Sequence, residues 1–129
     1  ASNALGALGY IRVMEEIVND IANTLCGGNK SCTIINAAGS GGTSAGLILG
    51  AKVFDVSARI ASVNVCDDHD YFVHVIGEIC ENAISDYHLE IDFSRDDDIN
   101  IIDGYVGRGY ALSRPEEKAG RHEAWRPGR

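Results

Sequence analysis

Apolar positions recur every three or four residues through the first 25 positions. Tyr10, Met14, Ile17, Ile21 and Leu25 fall on one stripe, with Val13 and Val18 beside it. Glu15, Glu16, Asn19 and Asp20 take the opposite side. That period predicts an amphipathic helix, and Gly27-Gly28 predicts its stop. The pattern then changes. Thr33 to Ala38 is short, mostly apolar and partly β-branched, which reads as a buried parallel strand rather than an edge strand. Gly39-Ser40-Gly41-Gly42-Thr43 is too glycine-rich for helix or strand and predicts a turn. Ala45 to Phe54 predicts a helix whose small residues, Ala45, Gly46, Gly50 and Ala51, suit close packing on a sheet. Arg59 to Val65 predicts a second strand. Asp70 to Ile84 predicts another amphipathic helix, through Phe72, Val75, Ile76, Ile79 and Ala83, and Asn100 to Asp103 a short third strand.

Helices and strands that alternate at this spacing predict an α/β fold, a three-layer parallel sheet with flanking helices. The acidic stretch from Asp92 to Asp98 predicts a solvated loop, since it lacks the ligand spacing, glycine and terminal glutamate of a calcium loop. Residues 118–129 carry basic side chains and the only Trp, with little else apolar to join a core. The expected organisation is therefore one domain over residues 1–117 and a basic tail over 118–129 that packs poorly.

Composition narrows the function classes. The chain has 129 residues, 45% of them hydrophobic and 23% charged, an ordinary balance for one globular domain. No apolar run reaches the roughly 18 residues of a membrane span, and the first residues lack the basic start of a secretory signal. A net charge of −8 argues against a nucleic-acid partner. Cys26, Cys32, Cys66 and Cys80 form no CxxC pair and no zinc spacing. They read as reduced thiols of a cytoplasmic protein. His69, His74 and His88 are not spaced as a helical metal pair, so no metal site is expected.

The chemistry concentrates in the glycine turn. Strand, Gly-Ser-Gly-Gly-Thr, then helix would leave several backbone N–H groups converging at a helix N-terminus, where the dipole also favours negative charge. Ser40, Thr43 and Ser44 add hydroxyls. This is a phosphate cradle without Lys or Arg. A P-loop would end in Gly-Lys-Ser/Thr, which is absent. The dinucleotide pattern G-x-G-x-x-G fits at Gly39 and Gly41 but meets Ser44 at its third glycine, although Asp67 and Asp68 stand where a ribose-binding acid would. A single phosphate, such as that of pyridoxal 5′-phosphate, suits the hydroxyl-rich loop equally well.

Three segments together resemble one enzyme family. Ser2-Asn3-Ala4-Leu5-Gly6-Ala7-Leu8-Gly9-Tyr10 is similar to the S-N-x-x-G-x-x-G-Y segment of the D-cysteine desulfhydrases and 1-aminocyclopropane-1-carboxylate deaminases. Ala38 to Leu47, AGSGGTSAGL, resembles their cofactor-phosphate loop. Gly104 to Ser113, GYVGRGYALS, resembles their G-Y-G loop near the substrate. The resemblance implies a fold type II pyridoxal-phosphate enzyme of the tryptophan-synthase β group, with a small amino-acid substrate and a homodimeric full-length protein. It implies that Gly39, Ser40, Gly41, Gly42 and Thr43 hold the cofactor phosphate and that Tyr110 is the active-site tyrosine of the G-Y-G loop. Members either eliminate sulfide from D-cysteine or open and deaminate the aminocyclopropane ring.

The departures matter as much. The family's cofactor lysine lies upstream in a Gly-Asn-Lys segment. Gly28-Asn29-Lys30 mimics it in the wrong place and reads as a surface turn. The upstream Ser-Asn-His loop and the downstream Asp-Pro-x-Tyr-x-Gly-Lys segment have no counterpart here. The chain is thus expected to be an internal fragment, inactive alone, with D-cysteine desulfhydrase preferred. The alternatives are an aminocyclopropane-carboxylate deaminase and a non-catalytic phosphate- or nucleotide-binding module.

Overall fold

A computed structural model describes residues 3–20, 32–107, 112, 114–116 and 118. The elements run α1 (Ala4–Asp20), β1 (Cys32–Ala38), α2 (Gly42–Val53), β2 (Ala58–Asn64), α3 (His69–Asp86), a single helical turn α4 (Arg95–Asp98) and β3 (Ile101–Ile102). All strand pairing is parallel, in the order β1-β2-β3. Cys32 pairs with Ala58 and the register continues to Ala38 opposite Asn64, while Ser62 and Val63 pair with Ile101 and Ile102. The α/β class and the parallel sheet with flanking helices are as the hydrophobic pattern predicts.

Burial follows from which face each residue takes. Ile34, Asn36 and Ala38 lie two apart on one face of β1, and the Asn36–Ser44 hydrogen bond shows that this face meets α2. Here Ala38, Ile60, Leu47, Leu49, Phe72 and Ile76 join one core. Each fully buried large side chain contributes about 1.5–3 kcal/mol. On the opposite face Thr33, Ile35 and Ala37 are exposed, Ile35 by 68%. So β1 is parallel, as expected, but among the described residues it lies at the edge of the sheet and is only half buried.

α2 carries the most buried helical surface, from Gly42 through Ala51 with Thr43 only partly covered. It touches β1 and β2, and α1 packs across both α2 and α3. The small residues of α2 serve the helix contact more than the sheet. A Cβ at Gly50 would stand 2.7 Å from Met14 Cβ and 3.2 Å from Ile11 Cα, and one at Gly46 would collide with Tyr10 and Ala7. The stripe of α1 moves accordingly. Its buried residues are Ala4, Ala7, Ile11 and Met14, and Tyr10 sits at the rim, 38% exposed. Two alanines bring the helix axes close where larger residues would hold them apart.

The acidic stretch is also more ordered than a solvated loop. Asp96 to Asp98 form the turn α4, Lys52 pairs with Asp98 at 2.9 Å, and the Arg95 guanidinium donates to both oxygens of Glu81 at 2.7 Å. That pairing holds Glu81 below the usual carboxylate range. Ile99, buried at the end of the turn, anchors it to the core. The expected C-terminal end of the first helix, the Gly28-Asn29-Lys30 turn and residues 119–129 lie outside the described residues.

Candidate functional site

The turns that follow β1, β2 and β3 meet at the carboxyl edge of the sheet, where ligands of open α/β folds characteristically bind. The turn after β1 is the glycine loop. Gly39 and Ser40 are exposed, Gly41 and Gly42 are buried, and Thr43 is half-buried. Helix starts earlier than the glycine content suggests, at Gly42, so only residues 39–41 form the turn and Thr43 stands in the first helical turn.

Gly41 makes the geometry possible. Its φ is +80°, a left-handed conformation that costs an L-residue about 1–2 kcal/mol. A Cβ there would come within 3.1 Å of Ile76 Cγ1 and 3.2 Å of Val75 Cγ1. The loop is thereby pressed onto α3. The first helical bond of α2 runs from the Ala45 amide to the Gly41 carbonyl, 2.9 Å, which leaves the amides of Gly42, Thr43 and Ser44 ahead of it. No side chain caps this end, and no acidic residue occupies its first turn. The backbone donors and the positive end of the helix dipole are thus met by neither a capping side chain nor an acid of the helix's own first turn.

One expected hydroxyl is unavailable. Ser44 is fully buried, and its Oγ accepts from Asn36 Nδ2 at 2.8 Å, while Ser62 Oγ donates to Asn36 Oδ1 at 3.1 Å. This line of polar groups ties β1, β2 and α2 together beneath the loop. Ser40 and Thr43 remain as hydroxyl contributors. Tyr110 falls outside the described residues.

Two further groups that pattern reading passed over shape the site. Asn64, at the end of β2, is fully buried. Its amide donates to the Asp67 carbonyl at 3.1 Å and to Asp103 Oδ1 at 3.0 Å. Asp103 also accepts from the Gly104 amide at 2.7 Å. The Gly104 amide, then the Asn64 amide, holds the Asp103 carboxyl below its ordinary value. Cys66 Sγ lies 3.5 Å from the Gly39 carbonyl, and its thiol is pushed up by burial and by Asp67, so it stays protonated near neutral pH. No group of three or more His, Cys, Asp or Glu fit to hold a metal occurs among the described residues. None of their helices is long and apolar enough to cross a membrane.

These features define an α/β protein in which a helix without a side-chain cap starts behind a left-handed glycine at the carboxyl edge of a parallel sheet. No protein-family model matches the chain. It is 36% identical over 116 residues to the bifunctional D-cysteine desulfhydrase/1-aminocyclopropane-1-carboxylate deaminase, mitochondrial, of Arabidopsis thaliana. That match covers 90% of this chain and 27% of the relative. It is 30% identical over 119 residues to the D-cysteine desulfhydrase of Klebsiella pneumoniae (strain 342), covering 92% of this chain and 34% of the relative. A crystal structure of an ACC deaminase homologue superposes with a TM-score of 0.62 at 23% identity, over 81% of this chain and 29% of that one. The chain belongs to the D-cysteine desulfhydrase/1-aminocyclopropane-1-carboxylate deaminase family, and it spans about a third or less of the length of these relatives.

Proposed function

We propose that this chain is the segment of a pyridoxal-phosphate-dependent lyase that holds the cofactor phosphate, and that the whole enzyme is a D-cysteine desulfhydrase. The observation that carries the reading is the uncapped start of α2 behind a left-handed Gly41. The residues present fit a phosphate monoester. Gly39, Ser40, Gly41, Gly42 and Thr43 would hold it through backbone N–H groups and two hydroxyls, with no Lys or Arg in the loop. Pyridoxal 5′-phosphate, when bound, supplies an electron sink for negative charge at the substrate Cα. This chain's part is to fix the phosphate and so orient what it belongs to, while α3 beneath Gly41 keeps the loop from relaxing. Tyr110 is assigned to the substrate side on its motif alone. A homodimer and a cytoplasmic compartment complete the reading.

D-cysteine is preferred because Ala38 to Thr43 and the Gly104 to Tyr110 run resemble the desulfhydrase branch more closely. Aminocyclopropane-carboxylate deamination is the second reading, favoured by relatives whose names carry that activity, alone or beside the desulfhydrase. The test is product analysis with the full-length protein and pyridoxal 5′-phosphate. Sulfide, ammonia and pyruvate in equal amounts from D-cysteine and water are expected, at a higher kcat/KM than ammonia release from the cyclopropane substrate. The reverse preference selects the deaminase. Tight nucleotide binding without turnover of either substrate selects a non-catalytic module. The 129-residue chain alone is expected to release no sulfide above the rate of free cofactor, because Lys30, Lys52 and Lys118 do not stand where the family's lysine stands.

A further inference from the structure

A buried amide joins two of the three turns at the carboxyl edge. Asn64 spends both of its N–H hydrogens, one on the Asp67 carbonyl in the turn after β2 and one on Asp103 Oδ1 in the turn after β3. Reversing the amide would set its oxygen against a carbonyl and a carboxylate, so these partners fix which way it faces. Its Oδ1 meets no donor among the described residues although the side chain is fully buried. A side chain chosen only for packing would be apolar at this place, because burying an amide with an unmatched oxygen is costly. What the amide achieves is the connection. The turn after β2 in turn touches the glycine loop through Cys66 and Gly39, and beyond Gly104 the Arg114 guanidinium donates to the Val106 carbonyl.

We propose that Asn64 is a positioning residue that, through Asp103, latches the segment that starts at Gly104 beside the glycine loop. The latch stands on its own geometry, and its consequence for turnover rests on the pyridoxal-phosphate reading above. It sets where the substrate-side loop lies relative to a phosphate held elsewhere. Breaking it therefore disturbs the substrate step and leaves phosphate affinity in place.

The experiment uses the full-length protein and three variants, Asn64→Asp, Asp103→Ala and Asp103→Asn. It reads amide hydrogen exchange at Gly104 and Tyr105, cofactor affinity by absorbance titration with pyridoxal 5′-phosphate, and kcat/KM on D-cysteine. Asn64→Asp removes both donors and opposes two carboxylates. Asp103→Ala removes the acceptor at an exposed position that folding tolerates. Each is expected to speed exchange at Gly104 by about tenfold or more and to lower kcat/KM by about tenfold, with cofactor affinity within about threefold of the parent. Asp103→Asn keeps an acceptor oxygen and is expected to restore exchange and kcat/KM to within about threefold. Unchanged exchange in Asp103→Ala overturns the proposal. So does loss of cofactor affinity in step with kcat/KM, or an Asp103→Asn variant as damaged as Asp103→Ala. A parent protein that binds no pyridoxal 5′-phosphate overturns the proposed function instead, and the exchange data still decide the latch.

Discussion

Two strand-to-helix turns at the same edge of the sheet are finished in opposite ways. After β2, Asp68 adopts an extended conformation, φ −99° and ψ 173°, and its side chain accepts from the Tyr71 amide, with Asp70 in the first turn of α3. After β1, Gly41 is left-handed, contributes no side chain, and opens a helix with no acid in its first turn. α1 resembles α3 in this respect, since the Asn3 side chain accepts from the Gly6 amide at 2.8 Å. A side-chain cap is worth about 1 kcal/mol. α1 and α3 take that stabilisation locally, and α2 forgoes it. Side chains close the starts of α1 and α3, and on the function proposed above the open start of α2 keeps its donors for an anion. On that reading the same supersecondary unit yields either a scaffold or a site, depending on one residue at the helix start.

The sharpest way to break the contrast is Gly41→Ala. A methyl group there meets both a left-handed φ and the Ile76 and Val75 side chains. The expected cost is about 2–4 kcal/mol in denaturant unfolding, together with loss of cofactor-phosphate binding. Asp68→Ala should cost about 1 kcal/mol in the same assay and leave phosphate binding unchanged. If both variants lose binding, the two turns are not functionally distinct.

A pH titration extends the comparison to the third turn. Asp103 ionises more readily folded than unfolded, so its contribution is fully present above the ordinary value of 3.8 and is lost as pH falls through the lowered one. The carboxyl carbon resonance of Asp103 should titrate with a midpoint below 3.8, and Asn64→Ala should move that midpoint upward. The smallest effect is expected at Cys80. Its thiol is buried, 3.9 Å from the Ala45 carbonyl in the first turn of α2, and burial chiefly pushes it up to about 12. Alkylation at mild alkaline pH should leave Cys80 unlabelled until the protein unfolds. Rapid labelling would mean that α2 and α3 separate in the native state.

The elements were legible because their periods are strong. Thr33 to Ala38 announce a strand through a short, partly β-branched apolar run and Phe72 to Ala83 a helix through spacing, and Gly39 to Thr43 mark the strand-to-helix turn through glycine density. Sidedness was not legible. Ile35 has the same chemistry as Ile34, yet one faces outward at a sheet edge and the other the core, and only the pairing order decides that. The α1 stripe shifted because Ala4 and Ala7 read as weak apolar positions, whereas close helix contact favours small residues. Ser44 looked like a free hydroxyl because its partner, Asn36, is eight residues away on another element. The Asn64–Asp103 bond spans 39 residues and leaves no local signature at all.

The central claim is that the open start of α2 holds the phosphate of a pyridoxal cofactor. Calorimetric titration of the full-length protein with pyridoxal 5′-phosphate and with pyridoxal, in the parent and in Gly41→Ala, tests it most directly. The account predicts that the parent prefers the phosphorylated ligand by at least about tenfold, as expected for several charge-assisted hydrogen bonds, and that Gly41→Ala abolishes the preference. Equal affinity for the two ligands in the parent, or an undiminished preference in Gly41→Ala, would contradict it.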